Sequence, residues 1–196
     1  MVRRTQTEAL KTRTSIIDAA EKLFVRDGFV GASLSAIVAE AGITKGALFH
    51  YFPNKEAVFK EVWSRLQERM TAEATQAAYD ARDVDDPYAP FLAGSKVYLE
   101  WACRPDYQKI LIVEGPAVLG FKGLYEAEYE SGARNVRRGL THLSNCGIIA
   151  EERIEPYGML LLNAINGAGF AFLNDSGDVS VSELYDAFER LLRGLR

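Results

Sequence analysis

Two short helical segments joined by a glycine turn, within residues 28–59, constrain the fold of this chain more than any other feature. Ser33 and Thr44 are good N-caps, because a hydroxyl oxygen can accept a hydrogen bond from an unpaired backbone N–H. Gly42 suits the left-handed position that follows a last helical turn. Helices this short are unstable alone and must pack on a neighbour. The sequence therefore predicts a helix-turn-helix packed against a preceding helix over residues 8–26.

Apolar residues at helical spacing define the inward faces of these helices and leave one outward face on the second short helix. Its small residues allow close approach to DNA, its lysine and histidine can donate to base edges or phosphates, and its phenylalanine can meet a thymine methyl. A tyrosine and a lysine just beyond are suited to phosphate, and the lysine lies in the first turn of the next helix, where unpaired N–H groups favour an anion. The outward residues are Lys45, Gly46, Ala47, Phe49 and His50, and the two that follow are Tyr51 and Lys55.

Residues 10–60 resemble the DNA-binding domain of the tetracycline-repressor (TetR) family of bacterial transcription regulators. The run AGITKG over residues 41–46 and the run LFHYF over residues 48–52 carry the resemblance, together with the Ser-capped helix before them. The sequence departs from the family at Ala36, where an acidic residue is common, and at Phe49, where tyrosine is frequent. The resemblance implies that Ser35, Lys45, Ala47 and His50 face DNA bases, and that Ser33, Thr44, Phe49, Tyr51 and Lys55 lie at or near the DNA backbone.

Each of these side chains also has an ordinary structural interpretation. Lys45 and Lys55 could be solvated lysines, and His50 could be a surface histidine without a base contact. Phe49 could belong to the core, and Tyr51 could serve packing alone. Arg3 and Arg4, which precede the first helix, form either an arm that reaches DNA or a solubilising tail; these two readings stay open.

The rest of the chain shows helical periodicity and no strand-like alternation, so the predicted fold class is all-α with about nine helices, the number that the resemblance implies. We predict an N-terminal three-helix DNA-binding domain over residues 1–53 and a larger helical ligand-binding and dimerisation domain over residues 54–196. Proline and glycine positions divide the body. The predicted body helices cover residues 55–79, about 90–102, 105 to the Gly115-Pro116 pair, 121–145, 156–174, and a last one from the capping pair Ser180 and Glu183 to about Gly194.

The charge and cysteine content are those of an intracellular protein that meets phosphate with one end. Residues 1–60 hold nine basic and six acidic side chains, and the remainder holds fourteen and twenty-one, so a basic end joins an acidic body. Two cysteines in 196 residues do not form a disulfide framework. No signal peptide or apolar run of about 18 residues is visible. We therefore expect a cytoplasmic protein.

The apolar segment GMLLLNAINGAGFAFL after Pro156 predicts a helix that is buried on more than one side. One face, with Leu160, Ala164, Gly167 and Ala171, could pack against a two-fold copy, and the family resemblance implies that the last two helices form a four-helix dimer interface. A close contact within one subunit is the alternative. The opposite face carries two asparagines, which need hydrogen-bond partners if they are buried.

Aromatic side chains with a few polar groups could line a small-molecule pocket in the body, although aromatic residues at helical spacing are more often plain core. The candidates for the pocket are Trp63, Met70, Tyr98, Trp101, Phe121, Tyr125, Met159, Asn163, Asn166 and Phe170.

The sequence therefore predicts a sequence-specific transcription regulator, most simply a homodimeric repressor of a near-palindromic DNA operator that a small molecule releases. Activation in place of repression stays open. In an alternative, a thiol switch at Cys103 and Cys146 takes the place of the small molecule. The simpler interpretation is that both cysteines are buried and inert. Catalysis is disfavoured, because the two histidines are far apart in sequence and no metal-ligand spacing, phosphate loop or nucleophile signature is present. No cofactor and no metal are expected.

Overall fold

A computed structural model describes residues 6–82, 85–173 and 179–195; the side chains of residues 6–7 and 121–131 lie outside this description. The described residues form nine α-helices and no strand, which confirms the predicted fold class. The helices are α1 (Gln6–Gly31), α2 (Leu34–Glu40), α3 (Lys45–Tyr51), α4 (Lys55–Asp80), α5 (Ala89–Ala102), α6 (Pro105–Tyr107), α7 (Gly115–Asn145), α8 (Ile154–Leu173) and α9 (Val181–Arg193).

The chain divides into two compact units. The first comprises residues 1–66 and 109–121, and the second comprises residues 67–108 and 122–196. The predicted boundary after residue 53 falls inside the first unit, because the first turns of α4 group with α1, α2 and α3. The boundary at residue 53 therefore stays a prediction about where the DNA-binding function ends.

The first unit is built around the apolar face of α1. The predicted face residues are all buried, and Phe24 contacts both Phe29 and Phe59, with ring centroids 5.9 and 5.2 Å away. Phe29 and Phe59 also meet edge to face at 5.3 Å. This aromatic cluster joins the end of α1 to α4, and such pairs add to the stability gained by burial alone. The buried face of α1 comprises Ile16, Ile17, Ala20, Leu23 and Phe24.

Gly28 interrupts α1 close to residue 26, where the sequence predicts the end of this helix, and the helix goes on to Gly31. The φ of 75° and ψ of 172° at Gly28 are non-helical, and hydrogen bonding resumes for one turn as far as Gly31. A side chain at Gly28 is excluded on two counts: a positive φ is unfavourable for residues with a Cβ, and a Cβ built there would lie 2.5 Å from Oε1 of Glu114.

The segment after Pro105 differs from the prediction of one helix ending at Gly115-Pro116. A single turn, α6, continues as a π-helical stretch over Gln108–Glu114, and α7 begins at Gly115. Pro116 lies in the first turn of α7, where a missing N–H has no helical partner to lose. The break lies instead at Gly120, whose φ is 73°. Helical structure runs on from the π-helical stretch through Pro116 without a break, so the prediction of a helix end at this pair was wrong.

The second unit has one core, to which α5, α7, α8 and α9 contribute. Phe91 and Phe188 meet edge to face with centroids 6.3 Å apart. The predicted capping box is present at the start of α9, where Ser180 and Glu183 accept hydrogen bonds from each other's backbone N–H groups. Among the described residues, no helix combines the length and apolar character needed to cross a lipid bilayer. The core residues are Phe91, Leu92, Val136, Leu140, Leu143, Ile149, Leu161, Leu162, Ile165, Phe188 and Leu192.

Candidate nucleic-acid interface and body cavity

The two short helices are fixed at their ends by the predicted caps. The Ser33 hydroxyl accepts from the N–H of Ala36 at 3.1 Å, and the Thr44 hydroxyl accepts from the N–H of Ala47 at 3.2 Å. Gly42, with φ of 64°, closes α2, and the next N–H donates back to the carbonyl of Val38 at 3.2 Å. That pattern satisfies carbonyls that a helix end leaves unpaired. The two caps and the glycine turn therefore fix the facing ends of α2 and α3.

Helix α3 buries one side and exposes the other. Leu48 is fully buried and Phe52, which ends the helix, is nearly so, while Lys45, Gly46 and His50 are exposed. Ala47 is half-buried at the edge of the exposed face. A Cβ added at Gly46 would meet no atom within 4 Å, so this turn of α3 presents backbone to whatever approaches it.

Aromatic rings flank the polar groups on this face. Phe49 is 45% exposed, and the Lys45 ammonium lies 5.9 Å from its ring centroid. His50 meets the half-buried Tyr51 edge to face, with centroids 5.1 Å apart. The exposure of Phe49 excludes a purely core role for it. A cation, an imidazole and an aromatic edge on one helical turn are groups that can contact base edges and a thymine methyl in a major groove.

The remaining predicted DNA contacts differ in whether their hydroxyl groups already make hydrogen bonds within the protein. Ser35 is exposed and its hydroxyl is not used as a cap, whereas the hydroxyls of Ser33 and Thr44 each accept a backbone hydrogen bond. A capping hydroxyl still carries its own proton, which it can donate to a phosphate oxygen. These three residues lie at the N-terminal ends of α2 and α3, where a helix favours an anion.

Lys55 is the predicted phosphate contact that the structure uses otherwise. Its ammonium donates to the carbonyls of Phe29 at 2.6 Å and Ala32 at 3.0 Å, and it lies 4.4 Å from the Phe29 ring centroid. A third carbonyl, that of Val30, is 3.5 Å away. An ammonium has three protons to donate, and the carbonyls at the end of α1 take them. Lys55 therefore caps the end of α1 in this structure, and its contact with a DNA phosphate stays a prediction.

Glu114 completes the same junction from the π-helical stretch, and sequence reasoning missed it. Both carboxylate oxygens accept from the N–H of Phe29 at 2.9 Å. The peptide units around Phe29 are thus held by Lys55 on the carbonyl side and by Glu114 on the N–H side. No local pattern points to this pair, because Glu114 is 85 residues away in the chain.

A cavity of about 340 Å³ lies in the second unit, between α4, α5, α7 and α8. Glycines in its wall bring the helices close: a Cβ at Gly139 would lie 2.7 Å from the Phe91 ring, and one at Gly94 would lie 3.2 Å from the carbonyl of Ala74. The volume is in the range of small-molecule sites. Its lining is mainly apolar and includes Ala74, Ala78, Tyr79, Pro90, Phe91, Gly94, Val136, Gly139, Leu162 and Ile165.

A few polar groups interrupt this lining. The Asn135 amide donates to the Tyr98 hydroxyl at 3.2 Å, which leaves the phenol proton free to donate elsewhere. Arg82 donates to the carbonyl of Tyr79 at 2.7 Å and stacks on that ring at 3.5 Å. The other polar residues of the lining are Thr75, Ser95, Arg138 and His142.

Most of the predicted pocket residues do not line this cavity. Tyr98 lines the cavity, but Trp63, Met70 and Trp101 are buried outside it, and the Trp101 indole donates to Glu73 at 2.6 Å. Met159, Asn163, Asn166 and Phe170 are exposed on α8 and do not line it, because the side of α8 that faces the cavity carries Leu162 and Ile165. The Asn163 amide donates to the carbonyl of Met159 at 2.8 Å. The side chains of Phe121 and Tyr125, and the arm residues Arg3 and Arg4, lie outside the described residues.

The sequence missed the polar residues of the cavity, Ser95, Asn135, Arg138 and His142, since polar side chains on amphipathic helices resemble a solvated face. Arg138 and His142 are four residues apart and so share a side of α7, which was the available signal.

Two family models match this chain. Residues 16–62 match the model for "Bacterial regulatory proteins, tetR family", and residues 88–195 match the one for "Tetracyclin repressor-like, C-terminal domain". The second covers more than half of the chain. The chain belongs to the TetR family.

Curated relatives agree with membership of the TetR family. The HTH-type transcriptional regulator AcrR of Shigella flexneri is 38% identical over 87 residues, which are 44% of this chain and 40% of that protein. The probable acrEF/envCD operon repressor of Escherichia coli K12 is 32% identical over 112 residues, 57% of this chain and 50% of that protein. The chain thus spans half or less of the length of these relatives. A solved TetR-family regulator from Pectobacterium atrosepticum is 25% identical and covers 98% of this chain and 97% of its own, with a TM-score of 0.77.

Membership of a family of regulatory proteins confirms the prediction of a regulator rather than an enzyme. Within the described residues, no group of three or more His, Cys, Asp or Glu side chains is arranged to hold a metal ion. Burial raises the pKa of the Cys103 thiol to about 11, so it stays protonated near neutral pH, and Cys146 is exposed. The raised pKa of Cys103 weighs against the thiol-switch alternative, because the thiolate is the reactive form. Cys146 is not the buried cysteine that the simpler interpretation expected.

Proposed function

We propose that this chain is a sequence-specific DNA-binding repressor that acts as a homodimer on a near-palindromic operator and is released by a small molecule. The observation that carries the proposal is the exposed face of α3, which presents Lys45, Gly46, Phe49 and His50. Ser33 and Thr44 cap the N-terminal ends of α2 and α3. A repressor that binds an operator is proposed to act in the bacterial cytoplasm, where the DNA lies.

Lys45 and His50 are proposed to donate to base edges, with Ala47 and Ser35 as the closest neighbours of the bases. Each well-made contact to a base edge is worth about 1–3 kcal/mol of discrimination. Thr44, Ser33 and Tyr51 are proposed to contact phosphates, which fix register without reading sequence. Phe49 is proposed to lie over the sugar-phosphate backbone near Lys45. Lys55 supports this surface indirectly, through the end of α1.

The dimer is proposed to form through the exposed apolar side of α8 together with α9. Leu160 is 70% exposed and Phe170 is 56% exposed, and a Cβ at Gly167 would meet no atom of the described residues within 4 Å. This open space favours a dimer contact over the alternative of a close contact within one subunit. Leu191 of α9 is exposed as well. An apolar face of this kind, free of charged side chains between Met159 and Ala171, supports burial against a second copy.

A two-fold dimer holds two copies of α3, so its operator is expected to repeat one half-site about one DNA turn, or about 34–36 Å, from the other. The small molecule is proposed to bind the cavity of the second unit and to favour a dimer in which this spacing is lost. The coupling is reciprocal: operator DNA must weaken binding of the small molecule by the same factor.

The test is to present the purified protein with a pool of random duplexes and to sequence the bound fraction. We expect enrichment of one motif repeated as an inverted pair with a constant spacing. Enrichment of a single unrepeated motif would contradict the dimeric arrangement, and no enrichment even at low salt would contradict sequence-specific binding altogether.

A further inference from the structure

The charged side chains that line the body cavity within the described residues are of one sign. They are the two arginines Arg82 and Arg138; the imidazole of His142 lies beside them, and no aspartate or glutamate of the described residues belongs to the lining. This contrasts with a chain that carries a net charge of −4. Arg82 and Arg138 are exposed, so solvent screens their charges in part; a carboxylate beside them is still attracted, and an organic cation in the same place is repelled.

The cations are not equivalent. The Arg82 guanidinium donates a hydrogen bond to the Tyr79 carbonyl and stacks on the Tyr79 ring, so the protein already engages it. Arg138 makes no hydrogen bond or ion pair with another described residue, whereas its neighbour Arg137 pairs with Glu155 and lies outside the cavity lining. A guanidinium can grip a carboxylate through two parallel N–H donors. The Arg138 guanidinium can therefore bind an anionic group, because no described residue already pairs with it.

A second polar group lies deeper in the same cavity. Ser95 lines it, is 3% exposed, and makes no hydrogen bond to another described residue. The Ser95 hydroxyl can therefore hydrogen-bond a molecule that enters the cavity. The Tyr98 hydroxyl, which accepts from Asn135, still has a proton to donate there.

We infer that the cavity takes an amphipathic organic anion: an apolar or aromatic body among Phe91, Leu162 and Ile165, with its acidic group bound by Arg138 beside His142 and Arg82. Ser95 and Tyr98 hydrogen-bond a polar atom on the body. This inference rests on the proposed ligand-responsive function and adds the class of ligand.

The experiment uses calorimetric titration of the full chain, without DNA, with matched probes that differ in charge alone. An aromatic set comprises 2-naphthoate, 2-naphthamide and 2-naphthylmethylammonium; an aliphatic set comprises decanoate, decanamide and decylammonium. In at least one set we expect the carboxylate to bind about tenfold or more tighter than its amide, as for a charged hydrogen bond. The ammonium should bind most weakly.

Variants then locate the effect. Arg138→Gln should remove most of the preference for the carboxylate, while the adjacent Arg137→Gln, outside the cavity, should keep it. Ser95→Ala should weaken carboxylate and amide alike. The inference is overturned if the amide or the ammonium is preferred, if no carboxylate binds, or if R138Q and R137Q behave identically. These titrations contain no DNA, so the two proposals can fail separately. If the cavity prefers carboxylates but the protein binds no operator, only the proposed function is wrong. If the protein binds an operator but the cavity shows no charge preference, only this inference is wrong.

Discussion

At the residue scale, the side chain whose role changes most between sequence and structure is Lys55. A lysine in the first turn of a helix beside a recognition helix is typical of a phosphate contact, yet its ammonium caps the carbonyls of Phe29 and Ala32. Only the fold brings those carbonyls to it, because they are 26 and 23 residues away.

Lys55→Met keeps most of the apolar stem and removes the charge. We expect the free energy of unfolding to fall by about 1–3 kcal/mol, since hydrogen bonds to a charged group are lost and buried carbonyls stay unpaired. Urea denaturation measures the change, and Lys60→Met, on the exposed side of α4, is the matched control. Unchanged stability with a specific loss of DNA affinity would restore the phosphate assignment.

The two thiols are expected to react very differently. The thiolate population of Cys103 rises only as the pH approaches its raised pKa of about 11, whereas Cys146 is exposed. At pH 8, iodoacetamide should therefore modify Cys146 and leave Cys103 largely intact, which mass spectrometry of peptides can follow. Modification in urea, where both should react, is the control. Equal rates in the folded protein would revive a redox role for Cys103.

At the scale of elements, most of what local chemistry specifies could be predicted. The caps at Ser33, Thr44 and Ser180 follow from hydroxyls that precede apolar periodicity, and all three are present. The segment after Pro105 could not be read in this way, because a π-helical stretch and a break at Gly120 depend on packing rather than on residue preference. The polar lining of the cavity was missed for a related reason: exposed and cavity-facing polar residues have the same helical spacing.

Gly46 of α3 offers a test that separates folding from recognition. Gly46→Ala should raise the free energy of unfolding by up to about 1 kcal/mol, because alanine loses less backbone freedom in a helix and the new Cβ meets no atom of the described residues within 4 Å. The same Cβ should lower operator affinity, since the glycine allows close approach to the groove. Thermal unfolding and fluorescence anisotropy on the selected duplex measure the two quantities. Undiminished DNA affinity would mean that this turn of α3 does not approach the groove.

At the scale of the whole molecule, the account depends on two copies acting together. Leu160→Glu puts a charge on the exposed apolar side of α8 and should convert the protein to a monomer in sedimentation analysis. Leu10→Glu, a similarly exposed leucine of α1, should leave the assembly unchanged. A dimer that survives Leu160→Glu would remove the proposed interface.

The most direct test of the central claim compares affinity for the selected duplex with affinity for a scrambled duplex of the same composition. The wild type is expected to prefer the selected duplex by a factor of about 1,000 or more. Lys45→Ala combined with His50→Ala should lose most of this preference while keeping its weaker affinity for the scrambled duplex, and Lys60→Ala should keep both. If the double variant retains the full preference, α3 does not read the bases and the account is contradicted.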